Sequence, residues 1–402
     1  MESEQHTNVK QSYRAQRILH GDKWLNDALI TVNVDGVIDV IEQFEPQQHV
    51  DFIDLGAVSL LPGMIDSHVH GAKGCDVMDA NHNSLNTMSR YFASLGVTAF
   101  VATTVTAPVA KIRCALKQVA KSKQQGVDGA ELLGAYLEGP YFTEKNRGAH
   151  PTAWFRDLSV EELDDWISYS DNQLLKVALA PEKTGALKAI RYLNEQGVRV
   201  MLGHTDASYD QVQKALDAGA CGIVHCYNGM RGLHHRDPGV VGAGLLNPNS
   251  YVEMIADGRH VHPAAIDVAH RCCGTRMTLI TDAMCAAGMP DGEYTLGEYQ
   301  VQMRDGVVTT DSGSLAGSTL TLLTAVQNIK RWLNIPLEQA WLMASLTPAE
   351  SLGLQHQLGT LEMGKRASMV AIQSDFSITK TWVNGRLVFE TKPVPSQEAL
   401  CI

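Results

Sequence analysis

Residues 60–70 read LLPGMIDSHVH, an apolar run that breaks into an aspartate and two histidines, Asp66, His68 and His70. The run is short, and its apolar residues do not alternate with polar ones. That is the pattern of a parallel strand covered on both faces. It recurs as VTAFVATT (97–104), LLGAYLE (132–138), LLKVALA (174–180), VRVMLGH (198–204), CGIVH (221–225), YVEMIA (251–256) and MTLITD (277–282). Helical periodicity fills several of the intervals, as in APVAKIRCALKQVAKS (107–122) and SYDQVQKALDAGA (208–220). Eight strands alternating with helices over about 300 residues predict an α/β fold, a (β/α)8 barrel of the TIM type. A doubly wound open sheet is the alternative, because it buries parallel strands in the same way.

The two ends of the chain have a different character. ALITVNVDGVIDVIEQF (28–44) alternates around Asp35-Gly36, and ASMVAI (367–372) followed by KTWVNGRLVFE (380–390) reads as strands with a type I′ turn at Asn384-Gly385. Both ends are therefore expected to build one small β domain, a sandwich formed by residues 1–60 and 361–402 around a barrel spanning 61–360. Residues 1–12 read as a loose polar arm, and TKPVPSQEALCI (391–402), with two prolines, as an irregular tail.

Composition narrows the function classes. The chain has 402 residues, 45% hydrophobic and 19% charged, which is globular and neither disordered nor fibrous. No apolar stretch approaches the roughly 18 residues of a membrane span, and the polar N-terminus shows no secretory signal. A net charge of −11 disfavours nucleic acid and anionic membrane as partners. The eight cysteines show no CxxC and no framework spacing, so reduced thiols and a cytoplasmic location are expected.

The residues at the ends of six of the eight runs carry the chemistry. They are Asp66, His68 and His70, then Glu138, His204, His225, Asp257 with His260, and finally Asp282. In a barrel these C-terminal strand ends share one face, where barrel enzymes build their sites. A lone histidine at a strand end is usually a hydrogen-bonded core group. Five of the 15 at such positions, with Glu138 and Asp282, favour a metal site. Imidazoles and carboxylates suit Zn²⁺ or a related divalent ion. His68 and His70 are two apart on an extended segment and are expected near one ion. Glu138, His204 and His225 supply two imidazoles and a carboxylate, a set that leaves a position open for water. Asp282 is the candidate for moving that water's proton.

The motifs also resemble a known family. PGMIDSHVHG (62–71) is similar to the opening signature of the amidohydrolase superfamily. LEGPYFTEKNRGAHP (137–151), LGHTDAS (202–208), HCYNGMRGLHHRDPGVVGA (225–243), IADGRHVHP (255–263), LITDAM (279–284) and LAGSTLTL (315–322) together resemble its N-acetylglucosamine-6-phosphate deacetylase family. The resemblance implies hydrolysis of the acetamide of a hexosamine 6-phosphate to the amino sugar phosphate and acetate. It implies Glu138, His204 and His225 as metal ligands and Asp282 as the acid/base. It implies His150 as the group that polarises the acetyl carbonyl. Asn228, Gly229, His260, Leu315, Ala316 and Gly317 are implied as substrate contacts. Arg236 is implied as a phosphate ligand that reaches the neighbouring subunit of a homodimer. The implied cofactor is one or two divalent ions, Zn²⁺ first and Fe²⁺ second.

Two departures stand out. The family often has Ala where this chain has Gly229, which backbone contacts should tolerate. Members also vary at the HxH positions, and here both His68 and His70 are present, so a second ion is expected to find ligands. No motif reads the sugar epimer, so an N-acetylgalactosamine-6-phosphate deacetylase is the nearest rival. A cyclic-amide hydrolase is disfavoured, because Glu138 stands at the third strand end and many such enzymes use a carboxylated lysine. A binding protein that kept the barrel and lost the chemistry is disfavoured by an intact Asp282.

Overall fold

The computed structural model describes residues 10–391 except positions 298 and 312. Most of the expected N-terminal arm and nearly all of the tail lie outside the described residues. Gln11 and Ser12, assigned above to the arm, already belong to a strand, Gln11–His20.

The eight apolar runs form eight parallel strands in sequential order: β1 (Met64–Val69), β2 (Val97–Thr104), β3 (Glu131–Glu138), β4 (Leu174–Leu179), β5 (Arg199–Leu202), β6 (Gly222–Ile223), β7 (Tyr251–Ile255) and β8 (Met277–Ile280). Every residue of β2 is buried, as its unbroken apolar run requires. The helices between strands turn an apolar stripe inward. Along Ala186–Glu195 the buried positions are Ala186, Ala189, Ile190 and Leu193, a 3.6-residue period. Ser208 and Gln211 cap the helix Tyr209–Asp217 reciprocally, fixing its start just after β5.

The ring closes between β1 and β8, and the way it closes matters for the site. At the lower end the amides of Ile65 and Leu279 donate to the carbonyls of Ala344 and Met343, so the turn between two short helices, Leu337–Leu342 and Leu346–Leu352, wedges the two strands apart. At the upper end the strands meet directly. Asp282 N donates to His68 O at 3.0 Å, and His70 N donates to Ala283 O at 2.8 Å. Closure therefore sets Asp282 beside the HxH pair.

Both chain ends contribute to one eight-stranded sheet. It runs Arg386–Glu390, Ile378–Val383, Met369–Ile372, Ser59–Pro62, Gln11–His20, Lys23–Val32, Ile38–Gln43, with Ile53–Asp54 paired to Gln11–His20. Its core is Tyr13, Ile18, Ile30, Leu60, Met369 and Trp382. Asn384 and Gly385 both have positive φ, 51° and 78°, as the type I′ turn demands. The Asp35-Gly36 turn packs against this second one. A Cβ on Gly36 (φ 76°) would lie 2.0 Å from Asn384 O, so only glycine fits.

One element has no counterpart in the sequence reading. After β8 the chain forms a three-stranded meander, Gly292–Leu296, Tyr299–Arg304 and Val307–Thr310, before the helix Leu322–Leu333. It stands over the upper face of the barrel. Among the described residues no helix is long and apolar enough to cross a membrane.

Gly36→Ala is expected to lower stability by ~2 kcal/mol or more, through left-handed strain and the clash with Asn384. Chemical unfolding that leaves the midpoint unchanged would contradict the turn-to-turn contact.

Candidate metal centre and active site

The strand ends turn sharply to present their side chains. His204, His225 and Asp282 follow β5, β6 and β8 with φ of 46°, 23° and 50°. Such left-handed conformations cost about 1–3 kcal/mol each and persist only where the surroundings over-determine them. Here they are pinned. Asp282 is held through its amide on His68 O and through its carbonyl, which accepts from Ser318 N at 2.8 Å. Thr143 N donates to His204 O, and Asn228 N donates to His225 O.

Four imidazoles share one arrangement. His70 Nδ1 lies 3.1 Å from Thr103 O, His204 Nδ1 3.2 Å from Asn146 O, and His225 Nδ1 3.1 Å from Asn228 O. His68 Nδ1 lies 3.0 Å from the Glu253 carboxylate. Carbonyls and carboxylates only accept, so each Nδ1 carries a proton, and in the neutral ring each Nε2 keeps its lone pair. All four Nε2 atoms converge on Glu138. Its Oε1 is 3.4 Å from His68, 3.5 Å from His204 and 3.4 Å from His225, and its Oε2 is 3.3 Å from His70. Asp282 Oδ1 completes the ring at 3.1 Å from His70 and 3.6 Å from His68.

Two overlapping ligand sets result: Glu138, His204 and His225, and His68, His70 and Asp282, with each set's donor atoms within 4.8 Å of one another. Glu138 touches both sets: Oε1 faces His204, His225 and His68, and Oε2 faces His70. Two observations say that a cation fits. His68 Nε2 is buried with no hydrogen-bond partner, and the Nε2 atoms of His204 and His225 face each other at 3.1 Å. Converging lone pairs in a dry pocket repel unless a positive charge sits among them.

Protons are the only other source of that charge. Burial opposes a charged His68, but Glu138 and Glu253 outweigh it and lift the group to about 9. His70 is likewise raised against burial by Asp282 and Glu138. Burial pushes His204 the other way, below its ordinary value. Burial also works against the Asp282 carboxylate, yet His70 and His68 hold it down at about 2.

His150 is built differently. The Thr106 amide donates to its Nδ1, and the Thr106 hydroxyl lies 2.9 Å from the same atom. An amide cannot accept, so the proton of the neutral ring sits on Nε2, which faces Glu138 Oε2 at 3.7 Å across the cavity. His150 is thus a neutral donor, and burial holds it well below the ordinary imidazole range. His260 Nδ1 donates to Asp257 Oδ2 at 2.6 Å, which fixes the orientation of the ring.

A cavity of about 280 Å³ opens above the cluster. His70, Glu138, His204, His225 and Asp282 line its floor, and His150, His260, Asn228, Gly229, Leu315 and Gly317 line its walls. His68 lies beneath the floor, fully buried. Ala316 does not line the cavity; its side chain packs in the core with Met284 and Val308, and its amide donates to Val308 O. Arg236 stands on an exposed loop away from the cavity, its guanidinium against His235. Gly229 proves more constrained than the sequence suggests. At φ 59°, an added Cβ would come within 2.8 Å of His204 Nδ1.

Sequence reasoning missed Glu253 and Lys176, which support His68 from below, and Thr106, which sets the tautomer of His150. It also missed Leu296 and Tyr299 of the meander, which reach the cavity mouth. Glu253 and Lys176 left a signal as charges inside otherwise apolar runs, YVEMIA and LLKVALA, and Tyr299 lies in the alternating YQVQMR ahead of an Asp305-Gly306 turn.

A barrel with this mouth defines a metal-dependent hydrolase fold, and comparison places it. Residues 59–388 match the amidohydrolase family, and the chain belongs to that family. It is 76% identical to the N-acetylglucosamine-6-phosphate deacetylase of Vibrio furnissii over 402 residues, covering 100% of both chains. It is 51% identical to the N-acetylgalactosamine-6-phosphate deacetylase of Escherichia coli O157:H7 over 374 residues, 93% of this chain and 98% of that one. A mutant N-acetyl-D-glucosamine-6-phosphate deacetylase of Mycobacterium smegmatis, solved in complex with N-acetyl-D-glucosamine-6-phosphate, superposes with a TM-score of 0.89 at 31% identity, covering 94% of this chain and 99% of that one.

Ion binding is expected to compete with protons at His68 and His70, whose protonated forms the carboxylates favour. Below about 9 the proton displaced from His68 should weaken binding about tenfold per pH unit, and His70 adds to the dependence in the same direction. Calorimetric titration in buffers of different ionisation enthalpy checks this; affinity flat between pH 6 and pH 8, with no proton release, would contradict it.

Proposed function

We propose that this protein hydrolyses the acetamide of N-acetylglucosamine 6-phosphate, giving glucosamine 6-phosphate and acetate. The observation that carries the reading is the pairing of a shared-carboxylate metal cluster with a neutral, outward-donating His150 on one cavity. Full-length identity of 76% to a deacetylase of that substrate supports the sugar. The galactosamine epimer is the second reading, supported by the 51% relative.

The Glu138, His204 and His225 set, with His68, His70 and Asp282 beside it, would hold one or two divalent ions. Imidazole and carboxylate donors suit Zn²⁺ first and Fe²⁺ second. An ion held there supplies Lewis-acid polarisation and a water acidic enough to attack at neutral pH. The chain's own groups do the rest. His150 Nε2–H donates to the acetyl oxygen and holds the charge that develops on it. Asp282, an unprotonated carboxylate before reaction, takes the proton of the attacking water and returns it to the amide nitrogen, which leaves poorly until protonated. His260 and the backbone at Asn228 and Gly229 orient the sugar, and Leu315 and Gly317 close its apolar side.

Arg236 is proposed as a phosphate ligand for the neighbouring site of a homodimer. Its exposure and its distance from this chain's own cavity suit that role, and guanidinium is the natural partner of a phosphate fork. The charge of −11 does not oppose it, since the anion meets local donors. A cytoplasmic location is proposed on the seven cysteines of the described residues, all unpaired. The small β domain is proposed to comprise residues 1–60 and 361–402.

The purified protein should release acetate from N-acetylglucosamine 6-phosphate, with the galactosamine epimer slower. Asp282→Asn should keep substrate affinity and lose about 10³-fold or more in kcat. No acetate from either epimer, or full turnover in the variant, would overturn the assignment. Arg236→Ala should raise KM for the phosphorylated sugar about tenfold or more, with kcat little changed. Mixing Arg236→Ala with Asp282→Asn subunits should restore a fraction of low-KM sites if the arginine works across subunits; no restoration would place its role within one chain.

A further inference from the structure

Beneath the ligand cluster the barrel interior holds a charged pair that the chemistry above does not use. Lys176 stands on β4 and Glu253 on β7, across the barrel from each other, and they are 2% and 1% exposed. Lys176 Nζ pairs with Glu253 Oε1 and donates to Ser67 O at 3.1 Å. The second carboxylate oxygen, Oε2, receives His68 Nδ1 at 3.0 Å. The chain of contacts ends at His68 Nε2, the buried atom that lacks a partner.

A buried ion pair is weak support for a fold, since apolar side chains of similar volume usually serve as well or better. The pair is therefore better explained by what it does to His68. Of the four converging imidazoles, three are held by backbone carbonyls, and His68 alone is held by a carboxylate. A carboxylate behind an imidazole fixes its tautomer and ring orientation and makes the opposite nitrogen a stronger donor.

We propose that Glu253, anchored by Lys176, is the positioning residue that makes His68 a metal ligand, and that it thereby sets whether the His68, His70 and Asp282 subsite fills. The proposal rests on the reading of the cluster as a metal centre. Lys176 draws one carboxylate oxygen down and leaves the other aimed at His68. The two imidazoles of the Glu138, His204 and His225 subsite have their own backbone supports, which the pair does not touch.

The test is titration of metal-stripped protein with Co²⁺, read by visible absorbance and by metal analysis. Wild type is expected to take two ions per subunit. The double variant Lys176→Met/Glu253→Gln leaves no uncompensated buried charge. It should keep the first ion's affinity and bind the second tenfold to a hundredfold more weakly. Its metal-free thermal midpoint should stay near that of the wild type. Glu253→Asp keeps the charge but is one methylene too short to reach both partners, and it should show the same loss if the double variant fails to fold. Second-ion affinity within twofold of wild type in the variants would overturn the proposal alone, as would a wild type saturating at one ion. Wild type that takes up no Co²⁺ would overturn the metal-centre reading as well.

Discussion

Everything at the mouth of this barrel depends on one carboxylate. Glu138 ends β3 with its two oxygens divided, one toward His204, His225 and His68, the other toward His70 and His150. Four Nε2 lone pairs aimed at an anion are unfavourable without a cation. The protein stabilises the arrangement from outside, by committing every Nδ1 to an acceptor. The same economy leaves no ligand free to turn away. His150 breaks the pattern for a reason visible in its partner: a backbone amide at Thr106 reverses its tautomer and turns it from ligand to donor. The partner at Nδ1 thus separates the four imidazoles that present Nε2 lone pairs when neutral from the one that presents an N–H.

The fold delivers these groups through closure and local strain. Asp282 reaches the HxH pair because β8 hydrogen-bonds β1 only at its upper end, where its amide meets His68 O. The lower seam is filled by the Met343–Ala344 carbonyls, which lets the strands splay below while they join above. Left-handed turns at His204, His225 and Asp282 then swing the side chains inward. Regular strand geometry would alternate them between the barrel interior and its exterior.

The barrel was legible because each strand is a mostly apolar run, and most of the runs close on a polar residue; all eight runs became strands. Periodicity alone left an open sheet in play, and closure rests on contacts such as Asp282 to His68 that no local pattern encodes. The clustering of Glu138, His204, His225 and the HxH pair was legible because the barrel puts strand ends together. The tautomer of His150 was not, since Thr106 lies 44 residues away in the chain. The meander after β8 left a signal, the alternating YQVQMR (299–304) followed by Asp305-Gly306, but it lies in a stretch already assigned to the barrel. Residue 229 taught a narrower lesson. Sequence treats Gly and Ala there as equivalent for backbone contacts, whereas the His204 ring fills the space a methyl would take.

The most direct measurement is an anomalous difference map from crystals grown with Zn²⁺, recorded on both sides of the zinc absorption edge. The account predicts a peak bonded to Glu138 and to the Nε2 atoms of His204 and His225, with a second beside His68, His70 and Asp282 sharing the Glu138 carboxylate. Absence of any peak within bonding distance of Glu138, or coordination through Nδ1 of His204 or His225, would contradict it.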